Sequence, residues 1–198
     1  VPHLPLNIDV RGMTILVVGG GAVAERKIKG LLDANATVKV VAPELTQEIA
    51  RLGDTGRICL KIDCYDSSDL QGVFLAIAAT NNPATNHRIA DEAHQRGILI
   101  SVANEPARGN CTFPAVLRRG NLEVTVSTDG TCPGFAAEVR DIISGIIGAE
   151  YADILAILAA EREKLLTEGT PNTYNNQILR SRARELINKL NTPKERVP

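Results

Sequence analysis

Three consecutive glycines, Gly19-Gly20-Gly21, separate a run of strand formers, Ile15-Leu16-Val17-Val18, from a segment whose apolar residues Val23, Ala24, Ile28, Leu31 and Leu32 recur at about one helical turn. This order calls for a buried strand, a sharp turn and a helix start. Within the turn, Gly19, Gly21 and Ala24 fit G-x-G-x-x-A. The first glycine permits the turn, the second lets a pyrophosphate approach the main chain, and small Ala24 lets the helix pack closely on the strand. The free N–H groups of the helix start, with about half a positive charge from the aligned peptide dipoles, would hold the phosphates. The pattern predicts a dinucleotide site, against the plainer reading of a glycine turn.

A chain of 198 residues can bury a substantial core, and 44% hydrophobic with 23% charged residues is an ordinary globular balance. Its net charge of −1 gives no electrostatic footprint for nucleic acid. It has no run of about 18 apolar residues to span a bilayer. Neither a nucleic-acid nor a membrane partner is therefore expected. The start, Val1-Pro2-His3-Leu4-Pro5, lacks the charged and apolar regions of an export signal, so a cytoplasmic location is expected. Cys59, Cys64, Cys111 and Cys132 are scattered, without C-x-x-C, and read as reduced thiols. His87 and His94 fall on one expected helix, but neither they nor His3 give metal-ligand spacing. No bound metal is expected.

Through the first half, short Val/Ile-rich runs alternate with helical patterns. Strands are expected at Ile15–Val18, Thr37–Val41, Ile58–Ile62, Val73–Ala78 and Ile98–Val102, with helices near Ala22–Ala34, Pro43–Leu52 and Pro83–Arg96. Strands that do not alternate in polarity imply an α/β fold with a parallel sheet covered on both faces, whose ligands bind outside the strands' carboxyl ends. The pattern then changes. Phe113–Leu117, the turn 118–121 and Leu122–Ser127 read as a hairpin, followed by helices at Pro133–Gly148, Tyr151–Glu168 and Tyr174–Leu190. The short hairpin with its helix is too small for an independent core. Its apolar face calls either for a second copy of the chain, giving a homodimer, or for the chain's own C-terminal helices.

Three loops at strand ends would converge on the dinucleotide. In the first, Gly19, Gly21, Ala22 and Val23 would take the pyrophosphate. In the second, Val41 and Ala42 fill the place of the acidic residue that usually bonds the ribose hydroxyls. Pro43 and Glu44 would meet the adenosine side, and the absence of a following arginine favours NAD over NADP; Glu44 reads equally as a first-turn helix acid. In the third, small Ala79 and Thr80 would admit the nicotinamide side, with Asn81 or Asn82 capping the next helix. The polar loop Ser101–Pro106 lies where the nicotinamide should end, and Thr128–Pro133, containing Thr131, is a second potential anion seat.

At this point the chain resembles the precorrin-2 dehydrogenase family, which also forms the N-terminal part of sirohaem synthases. The resemblance rests on His3-Leu4-Pro5, VVGGGAVAERK at Val17–Lys27, LAIAATN at Leu75–Asn81, Ser101–Pro106 and LEVTVSTDGTCP at Leu122–Pro133, in order across the chain. It implies an N-terminal NAD-binding Rossmann domain over residues 1–112, a dimerisation region over 113–148 and a helical domain over 149–198. It also implies oxidation of the tetrapyrrole precorrin-2 to sirohydrochlorin with NAD⁺, some members also inserting ferrous iron. Two departures matter. The family's N-V-x-D-x-P loop here reads Ser101-Val102-Ala103-Asn104-Glu105-Pro106, and its G-T-S-P reads Gly130-Thr131-Cys132-Pro133. Asparagine cannot take a proton, so weak or absent ferrochelatase activity is expected, and proton removal would fall to Glu105, to water or to a substrate carboxylate.

Asn104 and Glu105 are thus the candidate catalytic residues. Arg108, Arg118, Arg119 and Thr131 are the candidates for the polycarboxylate substrate. The competing readings are a non-catalytic NAD sensor or tetrapyrrole carrier, which Asn104 favours, and a bifunctional dehydrogenase and ferrochelatase. A short-chain dehydrogenase is disfavoured: Asp69, Leu155 and Ile178 stand where Y-x-x-x-K would require lysine after Tyr65, Tyr151 and Tyr174. A methyltransferase is disfavoured because its cofactor has no pyrophosphate.

Overall fold

The structure, a computed structural model, describes residues 3–167 and 176–191. It divides into two compact units, the first ending at Phe113 and the second beginning at Pro114. The first unit holds five parallel strands, β1 (Thr14–Val18), β2 (Thr37–Val41), β3 (Cys59–Lys61), β4 (Leu75–Ala78) and β5 (Leu99–Val102), in the order β3-β2-β1-β4-β5. Three helices connect them: α1 (Ala22–Asp33), α2 (Gln47–Asp54) and α3 (Pro83–Gln95).

Successive strand residues point to opposite faces and so supply two separate cores. Ile15 and Val17 of β1 join Val38 and Val40 of β2 and Ile77 of β4 beneath Ala24 and Ile28 of α1 and Ile49 of α2. On the other face, Leu16 and Val18 join Ala76, Ala78 and Ile100 beneath Ile89, Ala90 and Ala93 of α3. Burial on both sides explains the unbroken apolar runs of the strands. The register pairs Val18 with Val41 and with Ala78, so three strands end at one level beside β1. Chain order reverses there between β1 and β4, opening a crevice at the carboxyl ends.

The second helix is shorter than its sequence pattern predicts. It begins at Gln47, because Thr46 is its N-cap, its hydroxyl accepting from the Ile49 N–H, and Thr46 N–H donates to the Gly20 carbonyl at 2.9 Å. Pro43 and Glu44 therefore lie in a loop, and Glu44 is not a first-turn helix acid.

The second unit opens with the antiparallel hairpin β6 (Ala115–Arg119) and β7 (Leu122–Val126), on which α4 (Pro133–Ile146) and α5 (Glu150–Thr167) both pack. The strand starts two residues later than predicted, since Pro114 has no N–H for the ladder. The turn contracts to Gly120-Asn121, with Gly120 at φ 56°. The final helix α6 (Asn176–Asn191) packs on α5, where Arg182 reaches Glu161 at 3.1 Å. Its predicted first residues, the preceding turn 169–172 and the tail 192–198 lie outside the described residues.

One buried carboxylate ties the edge of the parallel sheet together. Asp69 is 3% exposed and accepts hydrogen bonds from Lys39 of β2 at 2.9 Å and from Lys61 of β3 at 2.8 Å. Burial alone would raise its pKa, but these hydrogen bonds and that of the Asp66 N–H outweigh it, and the net shift is downward. With a depressed folded-state value, the stabilisation is full above the unfolded carboxylate range and is lost as pH falls through the folded value. Asp69→Asn should therefore cost about 1–3 kcal/mol at neutral pH. In urea unfolding, the difference from wild type should shrink progressively in acid.

Candidate functional site

A cavity of about 880 Å³ opens at the carboxyl edge of the parallel sheet, within the size range of ligand sites. Gly19, Gly21, Ala22 and Val23 from the turn after β1, Pro43 and Glu44 from the loop after β2, and Ala79 and Thr80 from the loop after β4 all line it. Those eight positions were proposed from sequence for the cofactor, and the fold gathers them. Asn104 lines it too, with Ala103.

The glycines do more than permit a turn. Gly19 has φ 128°, and a Cβ there would overlap the Ala79 carbonyl oxygen. A Cβ on Gly20 would overlap the carbonyl oxygen of Glu44. These two glycines let the loops after β2 and β4 close against the turn. Gly20, the unassigned middle position of the motif, was missed because its constraint comes from a residue 24 positions away, 44 minus 20. Gly21 faces open space and is the N-cap of α1 with no side-chain cap. The helix start is thus free to receive an anion on its N–H groups, which fits a pyrophosphate.

The same ladder logic continues beyond the strands. Gly19 N–H donates to the Val41 carbonyl, Ala79 N–H to Val18, and Ala103 N–H to Ala78, at 2.8–2.9 Å. Asn82 caps α3 through the Thr85 N–H, as capping logic predicts. Asn86, 2% exposed, was not anticipated. Its Oδ1 accepts from the Thr80 hydroxyl at 2.7 Å and from the Thr80 N–H at 3.2 Å, and its Nδ2 donates to the Thr80 carbonyl at 3.0 Å. A polar residue amid a helix's apolar side was its only signal in the sequence.

Asp63, Cys64, Tyr65 and Arg88 extend the lining beyond the predicted set. Tyr65 donates to Glu92 at 2.6 Å, while Arg88 bonds Glu92 at 2.8 Å and lies over the Tyr65 ring at 5.3 Å. Burial, then the Glu92 carboxylate, push the Tyr65 hydroxyl above its ordinary value, so it stays a donor.

Next to Asn104, Glu105 is fully engaged. His87 donates to its Oε1 at 2.7 Å and Arg108 to its Oε2 at 3.2 Å. The His87 hydrogen bond, ahead of Arg108, holds the Glu105 carboxyl below its usual range. That makes Glu105 a weaker proton acceptor than an isolated glutamate. In the second unit, Arg118 pairs with Glu123 at 2.8 Å. Arg119 donates to the Ile147 carbonyl at 3.0 Å and to the Ser144 hydroxyl at 2.8 Å, satisfying the end of α4. The Thr131 hydroxyl donates to the Thr128 carbonyl. Among the described residues no group of three or more His, Cys, Asp or Glu could hold a metal ion, and no single helix is long and apolar enough to cross a membrane.

A family model described as "Putative NAD(P)-binding" matches residues 6–115. A siroheme synthase from Ectopseudomonas mendocina (strain ymp) is 44% identical over 151 residues, covering 76% of this chain and 32% of that protein. One from Pseudomonas entomophila (strain L48) is 37% identical over 163 residues, covering 82% and 35%. The chain thus spans about a third of the length of these curated relatives. The solved structure of SirC, precorrin-2 dehydrogenase, matches with a TM-score of 0.74 at 26% identity, covering 95% of this chain and 98% of that one.

The cradle generates a direct test. Gly20→Ala should separate the turn from Glu44 and weaken NAD⁺ binding at least about tenfold, a loss of ~1.4 kcal/mol. Fluorescence titration measures the loss, and an unchanged far-UV circular dichroism spectrum shows the sheet intact.

Proposed function

Because the chain belongs to this NAD(P)-binding family through residues 6–115, we propose that it is an NAD-dependent dehydrogenase that oxidises precorrin-2 to sirohydrochlorin. The observation that carries the proposal is the single cavity shared by the glycine cradle and the Asn104 loop, so that cofactor and substrate ends adjoin. The likeness to SirC over nearly the whole of both chains supports the substrate class.

In this reading Gly19, Gly21, Ala22 and Val23 hold the pyrophosphate, Pro43 and Glu44 the adenosine side, and Ala79 and Thr80 the nicotinamide side. NAD accepts the hydride; the protein aligns donor and acceptor and excludes competing reactions. The acidic side chains Glu44 and Asp63 in the lining support NAD over NADP, since a 2′-phosphate would meet like charge there. Asn104 orients the macrocycle by hydrogen bonds, beside Glu105. Arg108 and Arg118 are paired with exposed or half-exposed glutamates, and such pairs exchange partners at little cost. Both suit carboxylates of the substrate. Arg119 and Thr131 would take part only by leaving their present partners. With asparagine at 104, ferrochelatase activity is weak or absent, and the reaction belongs to the cytoplasm.

We further propose that the chain is a homodimer through residues 113–148, with 149–198 as a helical domain. Phe135, Ile142 and Ile146 of α4 are 61%, 66% and 69% exposed and lie along one helical stripe. An apolar stripe of this kind supports a protein contact.

Incubation with precorrin-2 and NAD⁺ should yield NADH and sirohydrochlorin in equal amounts. Binding of both ligands without NADH would replace this reading with the sensor or carrier. In sedimentation analysis the protein should run as a dimer at micromolar concentration and Ile142→Glu as a monomer; a monomeric wild type would defeat the dimer.

A further inference from the structure

A dinucleotide entering this cavity brings two negative phosphates and meets little positive charge. The start of α1 offers about half of one positive charge, and two acidic side chains, Glu44 and Asp63, stand in the lining. Arg88 is the one cation among the described lining residues. Resting on the reading of this cavity as a dinucleotide site, we propose that Arg88 binds the diphosphate from the α3 side, across from the uncapped amides of α1.

The fold puts Arg88 where such a charge is needed. The helices α1 and α3 cover opposite faces of the sheet, with Ala24 and Ile28 in one core and Ile89 and Ala90 in the other. The crevice between β1 and β4 is therefore walled by one helix start on each side. The two starts differ. No side chain caps α1, whereas α3 opens on a proline and its Thr85 N–H is taken by the Asn82 side chain at 3.2 Å. Fewer amides are left on the α3 side to meet an anion, so positive charge there comes from a side chain. Thr85 and Arg88 stand one turn apart on the same flank of α3, and both line the cavity. Long helical side chains lean toward the helix N-terminus, which here is the direction of the crevice.

Neighbouring groups hold the guanidinium along one edge and leave the other open. Its Nε donates to Glu92 at 2.8 Å, its Nη2 donates to the Ser67 hydroxyl at 3.0 Å, and the group lies over the Tyr65 ring at 5.3 Å. Glu92 is fixed in turn by the hydroxyls of Tyr65 at 2.6 Å and Ser67 at 2.9 Å. Nη1, with two N–H donors, has no hydrogen-bond partner among the described residues. An arginine braced in this way presents a planar fork that suits phosphate oxygens, and it loses less side-chain freedom when it binds them.

Titration of NAD⁺, ADP and adenosine into the full chain separates the parts of the ligand. Arg88→Gln should weaken NAD⁺ and ADP by the same factor, about tenfold, and leave adenosine within about twofold of wild type. Arg88→Lys should recover part of the loss, as a point charge without the fork. Added salt should weaken ADP binding more steeply in wild type and Arg88→Lys than in Arg88→Gln, a difference that a merely bracing arginine would not produce. The Arg88 side chain is 51% exposed, so both variants should fold, and their far-UV circular dichroism spectra check this. Wild-type affinity for NAD⁺ and ADP in Arg88→Gln, or a loss for adenosine as large as for ADP, would overturn the inference while NADH production by wild type leaves the dehydrogenase reading standing. A wild type that binds neither NAD⁺ nor ADP would overturn both.

Discussion

Two backbone carbonyls occupying the space where side chains would begin hold this site together. The Ala79 oxygen sits against Gly19 and the Glu44 oxygen against Gly20, so three loops from three strands meet at hydrogen-bond range around one turn. Nothing larger than hydrogen fits at either α-carbon. Because the contact is main chain to main chain, it leaves the side chains of the loops free to face the ligand. It also leaves the N–H groups of the first turn of α1 uncovered at the third glycine, where α1 has no capping side chain of its own.

Around this cradle the charges are largely spoken for. Asp69 is satisfied by two lysines, Glu92 by Tyr65, Ser67 and Arg88, and Glu105 by His87 and Arg108. Each cluster bridges elements that the apolar core alone would leave free to slide: β2 with β3, the loop after β3 with α3, and α3 with the loop after β5. The third cluster differs in sitting beside Asn104, at the cavity's polar end.

The second unit follows a different design. Its hairpin buries Leu117 beneath helices of the same chain, yet α4 keeps Phe135, Ile142 and Ile146 exposed. In-chain packing therefore answers part of the hairpin's need for cover and creates a new apolar stripe one layer out. The first unit completes its own core on both faces of the sheet, whereas the second presents an apolar layer outward.

Local pattern was enough for the parallel α/β unit, the glycine turn and eight positions that line the cavity, because strand burial, helical periodicity and N-cap chemistry act over a few residues. Even there, Pro43–Leu52 read as helix, since its apolar spacing carried no trace of the Glu44 carbonyl pressing on Gly20. The close approach of Glu44 to Gly20 and the meeting of His87 with Glu105 were settled only by tertiary structure. Each joins residues remote in the chain, and what each does is fixed by which strand ends the sheet order brings side by side.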